Sequence, residues 1–317
     1  MNGCTSLDLF GNSLGDEGAK SLAEQLKGNT ELVTLGLYGN SIGKLGARAL
    51  AEALKANEAL KMLDLYSNMV GDEGVQALAD ALKTNKGLTT LKLWDNSVRE
   101  SGAKALAEAL KANRALTRLD LGFNSLGDGG ARALAEMLKA NRALTRLDLG
   151  RNQIGAEGAA ALAEGLRENT GLNRLHLERN SLGNDGVVAL AGALKANTAL
   201  TTLHLERTSL GDEGAAVLVE ALKANSVLKV VSLSSNTLGE QVRTAVRAVL
   251  SVPAKERLRK FATVNEIAAP GPKRVGASTE VNAESEKAAA DSGTSDEVAN
   301  VENGSCDVGS GDEAVRT

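Results

Sequence analysis

Cysteine, histidine and aromatic residues are scarce in this chain. It has 317 residues, with two cysteines, two histidines and six aromatic rings. Two cysteines, Cys4 and Cys306, make no disulfide framework, and their sparseness suits a reducing compartment. The two histidines fall short of the three or four converging ligands that zinc usually takes. No metal or other cofactor is expected. No serine or cysteine sits predictably beside a histidine with a carboxylate behind it, so no catalytic residue is assigned and the chain reads as non-enzymatic. No apolar run is long enough to cross a bilayer, and the N-terminus lacks the basic-then-apolar pattern of a secretory signal. The nearest approach to a phosphate loop, residues 39–44 (GNSIGK), is one residue short and lacks the following Ser/Thr, so it reads as a turn.

A dominant charge is missing as well. Residues 265–317 hold eleven acids and four bases, while the remainder carries 29 acids and 32 bases. That remainder is too balanced for a nucleic-acid binder. The expectation is a cytoplasmic monomer with neither a membrane nor a nucleic-acid partner.

What the chain does have is a period. Residues 116–127 (LTRLDLGFNSLG) read L-x-x-L-x-L-x-x-N-x-L-G, and the pattern recurs every 28 residues. The inner leucines are Leu7, Leu35, Leu63, Leu91, Leu119, Leu147, Leu175 and Leu203, with Val231 ninth. A fixed step of this size marks a stacked repeat array around one continuous core. Within a repeat, Leu119 and Leu121 alternate with polar residues, which predicts a strand with one face buried. Ala131, Leu134, Ala135 and Leu138 then fall on one helical face. Strands stack about 4.8 Å apart and helices about 8–10 Å apart, so the array must curve with its sheet inside.

Asparagines at 12, 40, 68, 96, 124, 152, 180 and 236 are expected to form a buried ladder bonding turn backbone across repeats. Thr208 interrupts this ladder and predicts a locally weaker repeat eight. A second asparagine series, Asn29 to Asn225, suits a left-handed cap at each helix C-terminus. Repeat four departs in carrying Arg99 where Gly71 and Gly127 stand elsewhere. Pro253 ends the last repeat, and residues 254–262 are expected to close the open end with Leu258 and Phe261. Residues 1–262 thus form the repeat domain with a degenerate C-terminal cap, and 263–317 an acidic tail whose composition reads as disordered. The first repeat begins abruptly, which leaves open that the chain is a fragment.

The pattern L-x-x-L-x-L-x-x-N-x-L-G-x-x-G-A-x-x-L at 28 residues resembles the leucine-rich repeats of the ribonuclease-inhibitor type. They are similar to those of NOD-like receptors and of the Ran GTPase-activating protein. The resemblance covers Cys4 to about Leu250 and implies an α/β solenoid, a horseshoe of about nine repeats that binds another protein on its concave face. Two further readings it allows are a GTPase activator of the Ran type and the sensor arm of a NOD-like immune receptor.

Strand alternation also shows which residues face outward from the sheet. The position after the second inner leucine holds Phe10, Tyr38, Tyr66 and Trp94 on consecutive strands, and Phe123 follows one position later. Rings on adjacent strands should stand about 5 Å apart and stack. Copied repeats copy their residues, but these five are three residue types, and exposed aromatics mark partner sites. In the second half, Arg118, Arg146, Arg174, Arg151, Arg179 and Arg207 share the face with Asp120, Asp148, Glu178 and Glu206. Two readings stand: mutual neutralisation, or an arginine patch for an acidic partner segment. The predicted partner site is Tyr38, Tyr66, Trp94 and Phe123 with the six arginines. His176 and His204 lie in near-identical segments, so duplication accounts for their spacing.

Overall fold

A computed structural model describes residues 3–267, with side chains through Phe261, and the backbone pairing of Ser305–Cys306. Nine three-residue strands run in chain order: β1 (Ser6–Asp8), β2 (Thr34–Gly36), β3 (Met62–Asp64), β4 (Thr90–Lys92), β5 (Arg118–Asp120), β6 (Arg146–Asp148), β7 (Arg174–His176), β8 (Thr202–His204) and β9 (Val230–Ser232). Each pairs in parallel with the next at a register of one repeat, Leu35 beside Leu63 and Leu119 beside Leu147. Between them lie α1 (Gly15–Lys27), α2 (Lys44–Ala56), α3 (Gly71–Leu82), α4 (Glu100–Ala112), α5 (Gly127–Ala140), α6 (Ala156–Glu168), α7 (Gly183–Leu194) and α8 (Asp212–Ala224), with α9 (Glu240–Leu250) and α10 (Ala254–Ile267) after β9. The leucines of strands and helices meet in one buried core running the length of the stack. A single repeat could not bury them, and each buried leucine contributes roughly 1.5–3 kcal/mol.

The strand-side asparagines form the expected ladder. Asn124 Nδ2 donates to the carbonyls of Leu93, Leu121 and Gly122, and its Oδ1 accepts from the N–H groups of Asn96 and Val98. Thr208 is fully buried; its backbone N–H donates to Asn236 Oδ1 and its hydroxyl to Leu205 O, both at 2.9 Å. It offers no amide across to repeat seven, as Asn152 does to Leu121 O. The missing link therefore lies on the repeat-seven side of Thr208.

The helix-side asparagines correct an expectation. Asn57, Asn113, Asn141, Asn169 and Asn225 follow their helices in extended backbone, not the left-handed form. Their side chains build a second ladder instead. Asn141 Nδ2 donates to Leu110 O and Asn113 O of the repeat before, while its Oδ1 accepts from Leu144 N. Asparagine is needed there as a two-sided amide bridging repeats.

Arg99 is no departure either, because the repeats alternate. In repeats one, three, five and seven the helix opens on a glycine in the left-handed region, Gly15, Gly71, Gly127 and Gly183, at φ between 58° and 62°, while repeat nine is extended at Gly239. In even repeats the equivalent residue (Gly43, Arg99, Gly155, Gly211) is extended, and its N–H is accepted by Asp16, Asp72, Asp128 or Asn184 of the preceding repeat. Arg99 occupies the extended phase, which any residue adopts.

The C-terminal closure also differs from expectation. Helix α10 buries Ala254 and Arg257, and Phe261 packs against the core, but Leu258 is 48% exposed. Arg257 donates to Val252 O and Leu228 O, which lets a guanidinium be buried. Cys4 packs part-buried against the core and is disulfide-bonded, which corrects the expectation that the two cysteines form no disulfide and removes the support it lent to a reducing compartment. Most of 263–317 lies outside the described residues. Within it, Ser305–Cys306 pairs in parallel with β1.

Candidate functional site

The outward residues of the sheet separate into distinct stripes. The first is a ladder of five rings. Centroid distances are 4.6 Å from Phe10 to Tyr38, 5.1 Å to Tyr66, 4.4 Å to Trp94 and 4.8 Å to Phe123, all stacked except the edge-on Tyr38–Tyr66 pair. The aspartates between the inner leucines hold this row. Asp8 and Asp64 accept the N–H groups of Phe10 and Tyr66, fixing the backbone where each strand ends. Phe123 joins the ladder from a neighbouring column because Gly122 makes room. A Cβ on Gly122 would stand 2.4 Å from Trp94 Cδ1, so the indole lies over bare backbone and reaches Phe123. Stacked faces are hidden from solvent, so the ladder presents ring edges. Phe10, Tyr38 and Phe123 are exposed, and Tyr66 and Trp94 half-buried. Burial first, and then the charge of Asp120, pushes the Tyr66 phenol up to about 12, so it stays a neutral donor.

The second stripe continues the ladder in charge. Arg151, Arg179 and Arg207 stand just past their strands at left-handed φ of 56°, 57° and 53°. They line a cavity of about 710 Å³ that runs from Asp95 past Phe123 and takes in the serines at 97, 125, 181 and 209. The Arg151 guanidinium lies 5.3 Å from the Phe123 ring centroid, a cation–π contact. Among the described residues these three arginines form no ion pair with a carboxylate. Burial, and then Arg151 and Arg207, hold the Arg179 pKa below its ordinary value.

The other three arginines are elsewhere. Arg118, Arg146 and Arg174 are register partners at the starts of β5, β6 and β7. Their strands separate them from the second stripe by five residues along the chain (Arg174 to Arg179). The six arginines therefore make two rows, not one patch.

Between the rows runs an acidic and imidazole strip. Asp120 is 8% exposed, and burial raises its carboxyl above the usual range. Asp148 is raised to about 6, by burial first and then by Asp120. His176 is raised by its contact with Glu178. Burial is the largest influence on Glu178 and opposes its ionisation, but neighbouring His176, its backbone hydrogen bond and His204 together hold its pKa down. The His176 and His204 rings stack at 4.3 Å, and His204 Nδ1 lies 3.1 Å from Glu206 Oε1. The four acids are thus engaged with backbone N–H groups and imidazoles. What the sequence reading missed was this partition, together with the serine row of the cavity and the Lys92–Asp64 ion pair at 2.7 Å. The serines were legible as a periodic column; the ion pair depended on a side-chain conformation.

A family model described as leucine rich repeat matches residues 5–23, 56–79, 112–135, 140–163, 168–191 and 196–219. Those segments match leucine-rich repeats, and the parallel strands alternating with helices fit a leucine-rich-repeat solenoid. Among solved structures, the chain is similar to the actin-binding site 2 of leiomodin-1, at 19% identity and a TM-score of 0.27, over 63% of this chain and 82% of that one. It is also similar to the tropomodulin C-terminal domain of Caenorhabditis elegans, at 15% identity and a TM-score of 0.40, over 61% of this chain and 98% of that one. Likeness at these scores carries no argument about function. No curated protein sequence matches the chain. Leucine-rich repeats are in general non-enzymatic binding modules, and among the described residues no helix is long and apolar enough to cross a membrane.

Proposed function

We propose that this leucine-rich-repeat array, of the ribonuclease-inhibitor type, is a monomeric, non-enzymatic module that holds a protein partner on its concave face. One observation carries the reading: a ladder of five rings runs directly into three arginines that form no ion pair with a carboxylate among the described residues. Aromatic edges and guanidinium groups are the side chains in which binding energy concentrates at interfaces, and an uncompensated arginine row favours an acidic partner segment. No specific observation favours the GTPase-activator or sensor-arm readings.

The test is affinity capture with the full chain beside the Tyr66→Ala/Trp94→Ala double variant. The variant should keep the wild-type far-ultraviolet circular dichroism and lose the captured partner. Equal capture by a folded double variant would overturn the assignment of the rings.

A further inference from the structure

One cluster on the concave face is left unexplained by partner binding through rings and arginines. Asp148, His176 and Glu178 each bring one ligand-type atom to a common point, all within 4.8 Å of one another. His176 Nδ1 is 3.8 Å from both Asp148 Oδ2 and Glu178 Oε2. At that length neither contact is a hydrogen bond. We propose that these three residues form a binding site for a divalent cation of the zinc class, held by His176 Nδ1, Asp148 Oδ2 and Glu178 Oε2.

The surroundings prepare each donor. Asp148 Oδ1 accepts the Gly150 N–H at 2.9 Å, which fixes the carboxylate and leaves Oδ2 turned to the imidazole. Glu178 Oε2 is shielded from solvent yet has no hydrogen-bond partner among the described residues, an expensive state for a carboxylate oxygen. The glutamate fits only because residue 150 is glycine: a Cβ there would stand 2.8 Å from Glu178 Oε1. The His176 ring is braced by stacking on His204. Such supporting contacts are what orient the ligands of metal centres.

The size is right as well. Zinc bonds of about 2.0–2.2 Å in tetrahedral geometry place donors about 3.3–3.6 Å apart, so each carboxylate oxygen, 3.8 Å from His176 Nδ1, need approach the imidazole by only a few tenths of an ångström, and the two carboxylates close the remaining gap within the 4.8 Å cluster. One nitrogen with two carboxylates suits zinc, nickel or cobalt better than magnesium or calcium, which prefer oxygen alone. The three side chains are 27–32% exposed, so coordination positions remain open toward the concave face.

Duplication does not account for the cluster. It explains why His176–Glu178 and His204–Glu206 look alike. It does not supply Asp148, which comes from the strand before. Among the nine strands, β6 beside β7 is the one place where the aspartate column meets the histidine column. The copy on β8 has His176, not an aspartate, at that position, and its histidine is already bonded to Glu206.

The experiment is isothermal titration of the full chain with ZnCl2 in excess Mg2+, with Co2+ as a spectroscopic probe of the same site. Wild type should bind one Zn2+ saturably, and Co2+ should give visible absorption that Zn2+ abolishes. His176→Ala and Glu178→Gln should each weaken binding by about tenfold or more, whereas Glu206→Gln should change it by less than about threefold. Thermal melts of the metal-free proteins show that each variant is folded. If His176→Ala fails to fold, Asp148→Asn serves in its place, because its Oδ1 keeps the Gly150 contact. Absence of saturable Zn2+ binding by wild type, or binding that survives both ligand variants, would overturn the proposal.

Discussion

The concave face has two halves built on one backbone. Repeats one to five carry the ring ladder, and charge fills repeats five to eight. In the first half the outward side chains satisfy one another: five rings contact one another along the stack, three pairs face to face and one edge-on, and aspartates hold the turns beneath them. In the second half they do not. Three arginines lie side by side without carboxylates, and the carboxylates crowd into a strip of their own beside the imidazoles. A sheet whose strands stand about 4.8 Å apart forces like residues of successive repeats together. For rings that proximity is stabilising. For charges it stores repulsion, which a ligand of opposite sign relieves. The ring half is therefore a preformed edge, and the charged half is a surface that gains by being occupied.

The joint between the halves is Gly122, and breaking it should have the largest effect. Gly122→Val puts a side chain where Trp94 lies, and overpacking of this kind costs about 1–3 kcal/mol. Near-ultraviolet circular dichroism should lose the signal of the stacked rings, and the thermal midpoint should fall. An unchanged signal would mean that the ladder does not depend on that gap.

Next comes the charged half. Changing Arg151, Arg179 and Arg207 together to Gln should weaken partner capture by about tenfold at low ionic strength and flatten its salt dependence. If this variant loses more affinity than the Tyr66→Ala/Trp94→Ala protein, the order of importance of the two halves is reversed.

The stored repulsion should also be visible in pH. Burial raises the Asp120 carboxyl in the folded protein above its unfolded value, so the ionised group costs stability at neutral pH. Asp120→Asn should therefore be more stable than wild type at neutral pH, with the amide Oδ1 keeping the Gly122 N–H contact. That advantage should shrink as pH falls through the folded pKa and vanish once the unfolded carboxyl is protonated too. Melting curves across this range test it; an advantage that persisted in acid would show that the gain is not electrostatic.

The smallest effect concerns the scaffold that both halves share. Thr208→Asn restores an amide to the ladder and should stabilise the array by about 0.5–1 kcal/mol, read as a rise in denaturation midpoint. No gain would mean that the threonine hydroxyl already suffices.

Much of this was legible in the residues. The leucine period fixed strand, helix and register, because a two-residue alternation and a 28-residue step admit one stacking. The ring column and the approximately 5 Å spacing followed from the same arithmetic. The helix-side asparagines were legible as a series but not in their role. A residue following a helix looks like a cap until its amide is seen to reach Leu110 O one repeat away. Arg99 looked anomalous because the 28-residue period conceals a 56-residue alternation, which Asp16, Asp72 and Asp128 mark in alternate repeats. Residues 254–262 were expected to close the end as one short turn, but helix α10 runs on to Ile267, and the face it turns inward was not foreseen, since Arg257 could be buried only where free carbonyls awaited it.

By itself, then, the sequence determined the solenoid and the columns on its inner face, since both depend only on periodicity. Only the tertiary structure decided that Phe123 closes the ladder over Gly122, that Arg151 lies against the Phe123 ring, and that Asp148 meets His176 and Glu178. Those outcomes depend on side-chain directions across neighbouring repeats, and a period specifies which residues are adjacent without specifying which of their atoms meet.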